Sequence, residues 1–413
     1  LLQILQKYYD YITNIESVFI IAYNWKYVKE ICYIGGKILF RQFKLDRRIF
    51  KDIDKTILFS MISIVLYAIF NIYLCTKGGV NAGCATKQFV WLLISLVVLY
   101  IFLAVDYSVI MNYVPLFYWG AVLLLIGTTF FGSVVNGARG WIRFGPVSLQ
   151  ASEVAKIGII LMLGKKLDEM DGKINDTKNF FILVFYCAVP VIFILKQPDM
   201  GMTMVCFFIV LGIFYVSGLD LKIIGGGLVS LVIGIIIVWN SGFIEQYQKN
   251  RLIAFVNPTA YETDTGYHLI QSLTGIGSGG LFGSRPSITS EAAMGYAAQN
   301  VPEVHTDFIF AAIAEQWGFL GAMFLLVLYG CMLYKMIAIA RTAKDIFGSV
   351  ICVGIISYFL FAIIQNIGMT ISLLPITGIT LPLVSYGGSS LLTTILSIGL
   401  VLNVGMRRKK IHF

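Results

Sequence analysis

Residues 180–219 read FFILVFYCAVPVIFILKQPDMGMTMVCFFIVLGIFYVSGL, two apolar runs separated by a short polar turn. A helix needs about 20 mainly apolar residues to cross the roughly 30 Å hydrocarbon core of a bilayer. Within that core an open chain has no water to satisfy its backbone groups, so a spanning segment closes its hydrogen bonds internally as a helix. The stretch therefore predicts two membrane helices joined by a tight turn.

The whole chain has the same character. Of its 413 residues 58% are hydrophobic and only 13% are charged, and the mean hydropathy is +0.83. Soluble domains are about a quarter charged, and disorder needs low hydrophobicity, so both classes are excluded. The predicted fold class is all-α, a polytopic integral membrane protein with about ten transmembrane helices. The ten apolar segments are 56–74, 89–105, 114–131, 154–167, 180–195, 202–219, 223–239, 308–335, 349–374 and 383–404.

The segment 154–167 is short and opens with charged residues, so two forms stay open for it: a complete membrane helix, or a tilted or partly re-entrant one. Residues 1–55 form a basic N-terminal segment, interpreted either as a helix on the inner leaflet or as a mobile tail. No cleavable signal peptide is predicted there. The transmembrane domain is assigned to residues 56–408, followed by a short cytoplasmic tail at 409–413.

Basic residues predict the orientation. The formal net charge is +9, and with the N-terminus inside, inner segments carry more than twice as many Lys and Arg as outer ones. This asymmetry places both termini in the cytoplasm. In a membrane protein such an excess marks topology, so no nucleic-acid partner is expected. The seven cysteines form no CxxC pair, and most of them are interpreted as small buried hydrophobes. A disulfide between Cys75 and Cys84 is left open.

Ionisable groups at membrane depth are costly, which makes each of them a functional candidate. Arg139 and Arg143 lie near the predicted outer interface, and Glu153 and Lys156 follow three residues apart. On a helix these last two would share one face. Two interpretations stay open: an interfacial anchor with an internal ion pair, or a site where the arginines contact an anionic headgroup.

Asp199 lies in the polar turn of the opening stretch. It is either an ordinary turn residue or the partner of Lys156 or of an arginine. Two interpretations also stay open for another polar stretch. It comprises Gln365 and Asn366 within an apolar segment and the Pro- and Gly-rich residues 375–389 that follow. They form either a packing kink or the wall of a site, since broken helices are tolerated only where backbone packs on protein or lines a cavity.

The outer segment 240–307 is too long for a simple connection, and long ordered loops tend to carry function. It contains a glycine-rich stretch, 275–283, whose backbone N–H groups could approach an oxygen-rich ligand. It ends in three titratable residues, and a fourth follows about two helical turns later on the same side of the helix. Ionisable residues at the entry to a membrane helix indicate a functional site more often than a structural role. These four residues are Glu303, His305, Asp307 and Glu315.

Together these strings resemble the SEDS family of bacterial cell-wall proteins, which includes RodA, FtsW and SpoVE. The resemblance covers residues 56–408 in the family's order. The matching strings are NGARGWIRFGP (136–146), SEVAK (152–156), QPD (197–199), NP (257–258), GYHLIQS (266–272), GIGSGGLFG (275–283), PEVHTDFIF (302–310) and PITGITLPLVSYGGS (375–389).

The resemblance implies a peptidoglycan glycosyltransferase of the bacterial plasma membrane, acting in elongation, division or sporulation. Such proteins polymerise lipid II, a disaccharide-pentapeptide on undecaprenyl pyrophosphate. The acceptor 4-hydroxyl needs a base, and the leaving pyrophosphate needs positive charge. In RodA and FtsW the essential Asp lies in the outer loop, and the aligned position here is Tyr261. The neighbouring Glu262 and Asp264 are therefore the candidate bases, with Glu262 favoured because it is adjacent.

The remaining roles are also implied by the resemblance. Lys156 with Glu153 would lie in the central cavity, and Arg139 and Arg143 would hold the headgroup. His305 and Gln271 are candidate substrate-binding residues. The carboxylates expected to form ion pairs are Asp199, Asp307 and Glu303. Of these, Asp199 and Asp307 with pyrophosphate oxygens would also suit Mg²⁺ or Mn²⁺.

The implied partner is a class B penicillin-binding protein, a transpeptidase with a single membrane span. Two other functions remain open for the sequence: a lipid II flippase, which would use the same basic groove without bond chemistry, and a catalytically weak scaffold for the transpeptidase.

Overall fold

The computed structural model describes residues 52–77, 81–135, 138–144, 147–240, 253, 255, 265–284 and 295–408. The chain divides into two units, Leu1–Ile49 and Phe50–Phe413, and every described residue belongs to the second. The predictions for the basic N-terminal segment and for the cytoplasmic tail therefore lie outside the described residues.

Helices dominate the described part of the chain, and each of the ten predicted apolar segments overlaps one long helix. Seven of them are long and apolar enough to cross a membrane, which supports the prediction of a polytopic all-α membrane protein. The helices are α1 Lys55–Thr76, α2 Cys84–Ala104, α3 Tyr107–Phe131, α4 Ala151–Glu169, α5 Thr177–Lys196, α6 Met200–Val216, α7 Leu221–Asn240, α8 Thr265–Gly279, α9 Tyr296–Asn300, α10 Ile309–Arg341, α11 Ile346–Thr370 and α12 Gly388–Arg407.

Aspartates begin several of these helices. Asp54, Asp106, Asp199 and Asp345 each stand at an N-cap and accept hydrogen bonds from backbone N–H groups of the first turn. Those N–H groups have no partner within the helix, so a side-chain acceptor is favourable there. The caps explain why these helices begin where they do.

Helix α4 is continuous over 19 residues, which corresponds to about 28 Å at 1.5 Å per residue. The continuous geometry argues against a re-entrant break and favours the alternative of a complete helix. Its polar first turn lies next to a small sheet that the sequence did not predict.

That sheet consists of β1 Ser133–Val135, β2 Ala138–Phe144 and β3 Val147–Gln150, paired antiparallel in the order β1-β2-β3. Trp141 of β2 lies opposite Ser133 on one side and Gln150 on the other. The sheet connects α3 to α4, and the end of the bundle that carries it is called the hairpin end below.

The two C-terminal helices lie at the centre of the bundle. In their apolar windows 67% of the residues of α11 and 83% of those of α12 are buried, against 28% for α2 and for α3. Apolar side chains face outward on the peripheral helices, where lipid replaces protein as the apolar surroundings. Polar groups on α11 and α12 are therefore enclosed by protein.

Helix α10 is broken at Gly318, whose φ of 65° and ψ of −164° are not helical. The turn after α8 enters this break: Phe319 N donates to Gly280 O at 2.9 Å, and Ser284 N donates to Glu315 O at 2.9 Å. Backbone groups freed by a break must find partners inside a bilayer, and here the turn supplies them. This contact between residues 279–284 and 315–320 is called the interlock below.

Cys75 and Cys84 are free, buried thiols, so the disulfide left open by the sequence is absent. Cys75 lies inside the last turn of α1, and its Sγ accepts a hydrogen bond from Gln316 Nε2 of α10 at 3.2 Å. Cys84 is the first residue of α2. The thiol of Cys75 is thus directed toward α10. Of the other described cysteines, Cys187, Cys206 and Cys352 are buried as predicted, whereas Cys331 is exposed.

Candidate functional site

A buried ion pair lies in the first turns of α4 at the hairpin end. Lys156 Nζ lies 2.7 Å from Glu153 Oε2, and the two residues are 1% and 4% exposed. Their spacing of three residues places both on one helix face, as the sequence predicted. Asp199 instead caps α6 and accepts a hydrogen bond from Gln150 at 3.0 Å.

Two adjacent threonines of α12 surround this pair. Thr393 Oγ1 donates to Glu153 Oε2 at 2.6 Å. Thr394 Oγ1 lies 3.2 Å from the hydroxyl of Tyr358 on α11, and the Tyr358 ring centroid lies 3.7 Å from Lys156 Nζ. Three helices thus enclose a single cation and a single carboxylate.

The two arginines of the hairpin end lie on β2. Side chains alternate along a strand, so Arg139, Trp141 and Arg143 share one face, and both arginines are exposed. Between them Gly140 is buried, and a Cβ there would lie 3.0 Å from Oε1 of Gln197. The sheet therefore packs on the bundle through Gly140 and presents its arginines away from that contact.

Gln197 anchors the sheet and was interpreted only as part of a turn. Its Nε2 donates to Leu125 O at 3.0 Å and to Thr128 Oγ1 at 2.9 Å, both on α3. Its carbonyl accepts a hydrogen bond from Arg139 N at 3.3 Å. The turn between α5 and α6 thus fixes the arginine-bearing strand against the bundle.

The described part of the long outer segment packs against α10 and α11. Ser272 of α8 donates to Thr370 O at 2.8 Å, and the hydroxyl of Tyr296 on α9 donates to Gln271 Oε1. The glycines serve close packing here: a Cβ at Gly279 or Gly283 would overlap the backbone of α10. This packing role differs from the ligand-binding role expected for the stretch.

Glu315 belongs to the scaffold, contrary to the expectation that it joins the titratable group before α10. Its carboxylate accepts hydrogen bonds from the N–H groups of Tyr296 and Ala297, at 2.7 Å for the latter. It therefore caps the short helix α9. The break at Gly318 and the interlock bring α9 to this carboxylate, a contact that sequence spacing does not reveal.

The turn that precedes α10 contains the other three titratable residues. Glu303 has a φ of 53° and accepts a hydrogen bond from Thr306 Oγ1 at 3.0 Å. The His305 ring lies 5.7 Å from the Tyr386 ring, and burial lowers the pKa of His305, while nearby Glu303 opposes this shift. The carbonyl of Asp307 accepts a hydrogen bond from Asn366 Nδ2 at 2.8 Å.

The loop between α11 and α12 closes against the same turn. Tyr386 N donates to His305 O at 2.9 Å, and Ser385 Oγ donates to Thr306 O at 2.6 Å. Gln365 Nε2 donates to Pro375 O at 2.9 Å, while burial and the Cys84 thiol raise the pKa of Tyr386 to about 12. These bonds support the packing-kink interpretation and also place His305 beside Tyr386.

The structure brings together only some of the predicted site residues. Glu153 with Lys156 forms one cluster, and His305 with Glu303 lies in a second. The candidate bases Glu262 and Asp264, and Tyr261 at the aligned position, lie outside the described residues. Within the described ranges no group of three or more His, Cys, Asp or Glu is arranged to hold a metal ion.

Sequence reasoning missed Tyr358, Thr393 and Gln88. Tyr358 lies in an apolar run in which a tyrosine is unremarkable, so no signal marked it. The adjacent threonines at 393 and 394, in the middle of an apolar span, were a detectable signal. Gln88 links α2 to the last loop by donating to Ser385 O at 3.3 Å.

The fold and this enclosed polar centre define a multi-pass membrane protein with charged groups inside its bundle. The sequence profile of the FtsW/RodA/SpoVE family, described as "Cell cycle protein", matches residues 53–410. The chain belongs to this family.

Individual relatives support this family assignment. The chain is 31% identical over 359 residues to the peptidoglycan glycosyltransferase MrdB of Escherichia coli K12, covering 86% of this chain and 94% of the relative. It is 29% identical to the peptidoglycan glycosyltransferase RodA of Treponema pallidum, over 86% and 98% of the two chains. It is 35% identical to stage V sporulation protein E of Bacillus subtilis, over 68% and 75%.

Solved structures show the same fold. A chain from a peptidoglycan synthase complex that coordinates polymerization and crosslinking superimposes with a TM-score of 0.74 at 28% identity, over 87% of this chain and 99% of that chain. The crystal structure of the rod shape determining protein RodA of Thermus thermophilus superimposes with a TM-score of 0.65 at 27% identity, over 87% and 98%.

Proposed function

We propose that this protein is a peptidoglycan glycosyltransferase that polymerises lipid II on the outer face of the bacterial plasma membrane. The observation that carries the proposal is family membership across almost the whole membrane domain, with relatives named as peptidoglycan glycosyltransferases. The enclosed Lys156–Glu153 pair at the hairpin end supports it, because a buried cation is expensive and is retained where it acts.

The reaction joins two lipid-linked sugars. The 4-hydroxyl of the acceptor gives its proton to a loop carboxylate, and its oxygen forms a bond to the anomeric carbon of the donor. The bond between that carbon and the pyrophosphate oxygen breaks, and the undecaprenyl pyrophosphate leaves with the electron pair. General-base catalysis needs a carboxylate within hydrogen-bond reach of the hydroxyl; Glu262 takes this role and Asp264 is the second candidate.

Positive charge stabilises the leaving pyrophosphate. Arg139 and Arg143 point from one face of β2, where guanidinium groups can bind phosphate oxygens in bidentate fashion. Lys156 supplies a further charge in low-dielectric surroundings, where electrostatic stabilisation is strongest. His305 and Gln271, in the turn before α10 and on α8, contact the sugar portion.

A divalent cation is a further part of the proposal. Mg²⁺ prefers oxygen ligands, commonly one or two carboxylates together with substrate phosphates, and a loop carboxylate or Asp307 with the pyrophosphate oxygens meets that preference. The partner is a transpeptidase of the class B penicillin-binding type, supported by the likeness to a chain from a complex that coordinates polymerization with crosslinking.

The experiment that tests the proposal uses the full chain, purified in lipid nanodiscs with and without its transpeptidase. Fluorescent lipid II is added, and the products are separated by length. The wild type is expected to make glycan chains. Glu262→Ala is expected to lower the rate by about 100-fold or more, the usual contribution of a general base, and Asp264→Ala to lower it less.

Glu262→Gln is the matched variant, because it keeps the size and hydrogen-bonding capacity of the side chain without the basic carboxylate. Binding of lipid II is measured in parallel and is expected to persist in each variant. Undiminished polymerisation by all three variants would refute the assignment of the base. Transport of lipid II across the bilayer without glycan synthesis would instead identify a flippase.

A further inference from the structure

Tyr358 lies beside the buried ion pair, and the proposed reaction gives it no role. It stands on α11 and is 4% exposed. Its ring centroid lies 3.7 Å from Nζ of Lys156, a distance at which the ammonium rests on the face of the ring. The electron-rich face of an aromatic ring attracts a cation, and the attraction is strongest where water is excluded.

Few other groups near Lys156 interact with its ammonium. A lysine ammonium has three N–H donors. One is directed at Glu153, at 2.7 Å, and within the described residues no carbonyl or amide oxygen accepts a well-aligned hydrogen bond from Nζ. The hydroxyl of Tyr358 also interacts with the ammonium. The ring face therefore provides the second favourable contact of the ammonium, and an N–H donor remains for an oxygen that enters the bundle.

Helix α12 holds both partners of the ammonium. Thr393 donates to the carboxylate of Glu153, and the next residue, Thr394, lies within hydrogen-bond distance of the Tyr358 hydroxyl. The side chains that flank Lys156 are thus oriented from one turn of a single helix. Such support from surrounding residues is what keeps a functional group in a fixed position.

We propose that Tyr358 is a positioning residue, whose ring, together with the carboxylate of Glu153, holds the Lys156 ammonium in place to receive an oxygen of the leaving pyrophosphate. This inference rests on the proposed function. The main effect is assigned to the electrons of the ring, because Nζ rests on the ring face. The hydroxyl orients the ring through Thr394 and adds a smaller interaction with the ammonium.

The test replaces Tyr358 in graded steps in the full chain, purified in nanodiscs and supplied with fluorescent lipid II. The series is Tyr358→Phe, then phenylalanine analogues with one, two and three fluorines at this position, then Tyr358→Leu. Fluorine withdraws electrons from the ring face and changes its size little. Tyr358→Phe is expected to keep most of the activity, and kcat is expected to fall with each fluorine.

At Tyr358→Leu the loss in kcat should reach about 10- to 30-fold, corresponding to a desolvated cation–π contact. KM should change little, because the charge on the pyrophosphate grows in the transition state. The control places the same fluorinated residues at Phe347, a buried residue of α11 whose ring stacks on Tyr107. No described Lys or Arg lies over the Phe347 ring. There kcat should stay constant.

A second measurement does not depend on catalysis. Melting temperatures of Tyr358→Leu, Lys156→Met and the double variant form a thermodynamic cycle, and a non-zero coupling is expected. If kcat for glycan synthesis does not change along the fluorine series, the proposal about Tyr358 is overturned, although the proposed function still holds. If the wild type makes no glycan, the proposed function fails, and zero coupling in the cycle would then overturn the contact itself.

Discussion

At the scale of single residues, the Lys156–Glu153 pair is the most consequential interaction in the bundle. Removing two charges from water costs several kcal/mol for each ion, and only a well-placed partner compensates that cost. Glu153 is such a partner, since its carboxylate also accepts a hydrogen bond from Thr393. The stability of the pair therefore depends on both members being present.

Glu153→Gln is expected to lower the free energy of unfolding by about 3–5 kcal/mol, because it leaves a buried ammonium without its counter-charge. The double variant Glu153→Leu/Lys156→Met removes both charges and should be more stable than the single variant, although both lose polymerisation. Thermal unfolding in detergent measures the difference.

An exposed pair on the same helix is the matched control. Lys166 and Glu169 are also three residues apart and 2.7 Å from each other, with side chains 23% and 41% exposed. Glu169→Gln should change stability by no more than about 1 kcal/mol, because water and salt screen surface pairs. Equal losses in Glu153→Gln and Glu169→Gln would contradict the view that burial makes the inner pair important.

At the scale of elements, the interlock joins the turn after α8 to the break in α10. Gly318 adopts a φ of 65°, a region in which other residues are strained. A Cβ at this position would also overlap Gly283 N and Leu281 C. The break in α10, the turn after α8 and the cap of α9 by Glu315 thus form one connected structure.

Gly318→Ala is expected to lower stability by about 1–3 kcal/mol from backbone strain alone, with the steric overlap adding to this. Polymerisation should fall as well, because the break holds the turn after α8 in place, and α8 directly follows Glu262 and Asp264 in the sequence. Melting temperature and glycan synthesis are the measurements.

Gly330→Ala is the control on the same helix, where a Cβ meets no atom within 4 Å. There alanine should be neutral or stabilise by up to about 1 kcal/mol, as in an ordinary helix interior. If the two substitutions behaved alike, the interlock would have no special importance.

At the scale of the whole molecule, the alternation of helices places the hairpin at one end of the bundle and the turn between α4 and α5 at the other. The distribution of basic residues predicts that the hairpin end faces outward. This orientation decides whether the arginines meet lipid II on the side where its sugars are polymerised.

Cysteine labelling in intact cells tests the orientation. In a chain whose native cysteines are replaced, Arg143→Cys should react with a membrane-impermeant maleimide added outside. Lys173→Cys, exposed in the turn after α4, should react only after the cells are permeabilised. The opposite pattern would invert the topology and remove the arginines from the outer surface.

Much of the fold was predictable from local sequence. The ten apolar segments correspond to ten long helices, because lipid requires each span to be apolar and to close its own backbone hydrogen bonds. The Glu153–Lys156 pair was predictable for a similar reason, since a spacing of three residues places both side chains on one helix face. The three-stranded sheet was not, because strand pairing depends on contacts between separate segments.

The sequence by itself thus determined the membrane helices, the family and the identity of the charged residues, since each follows from hydropathy or from short motifs. Only the tertiary structure decided that Glu315 caps α9 instead of joining His305, that Gly279 and Gly283 serve packing, and that the ring of Tyr358 covers Lys156. These outcomes depend on distances between helices far apart in the chain, which no local pattern of residues encodes.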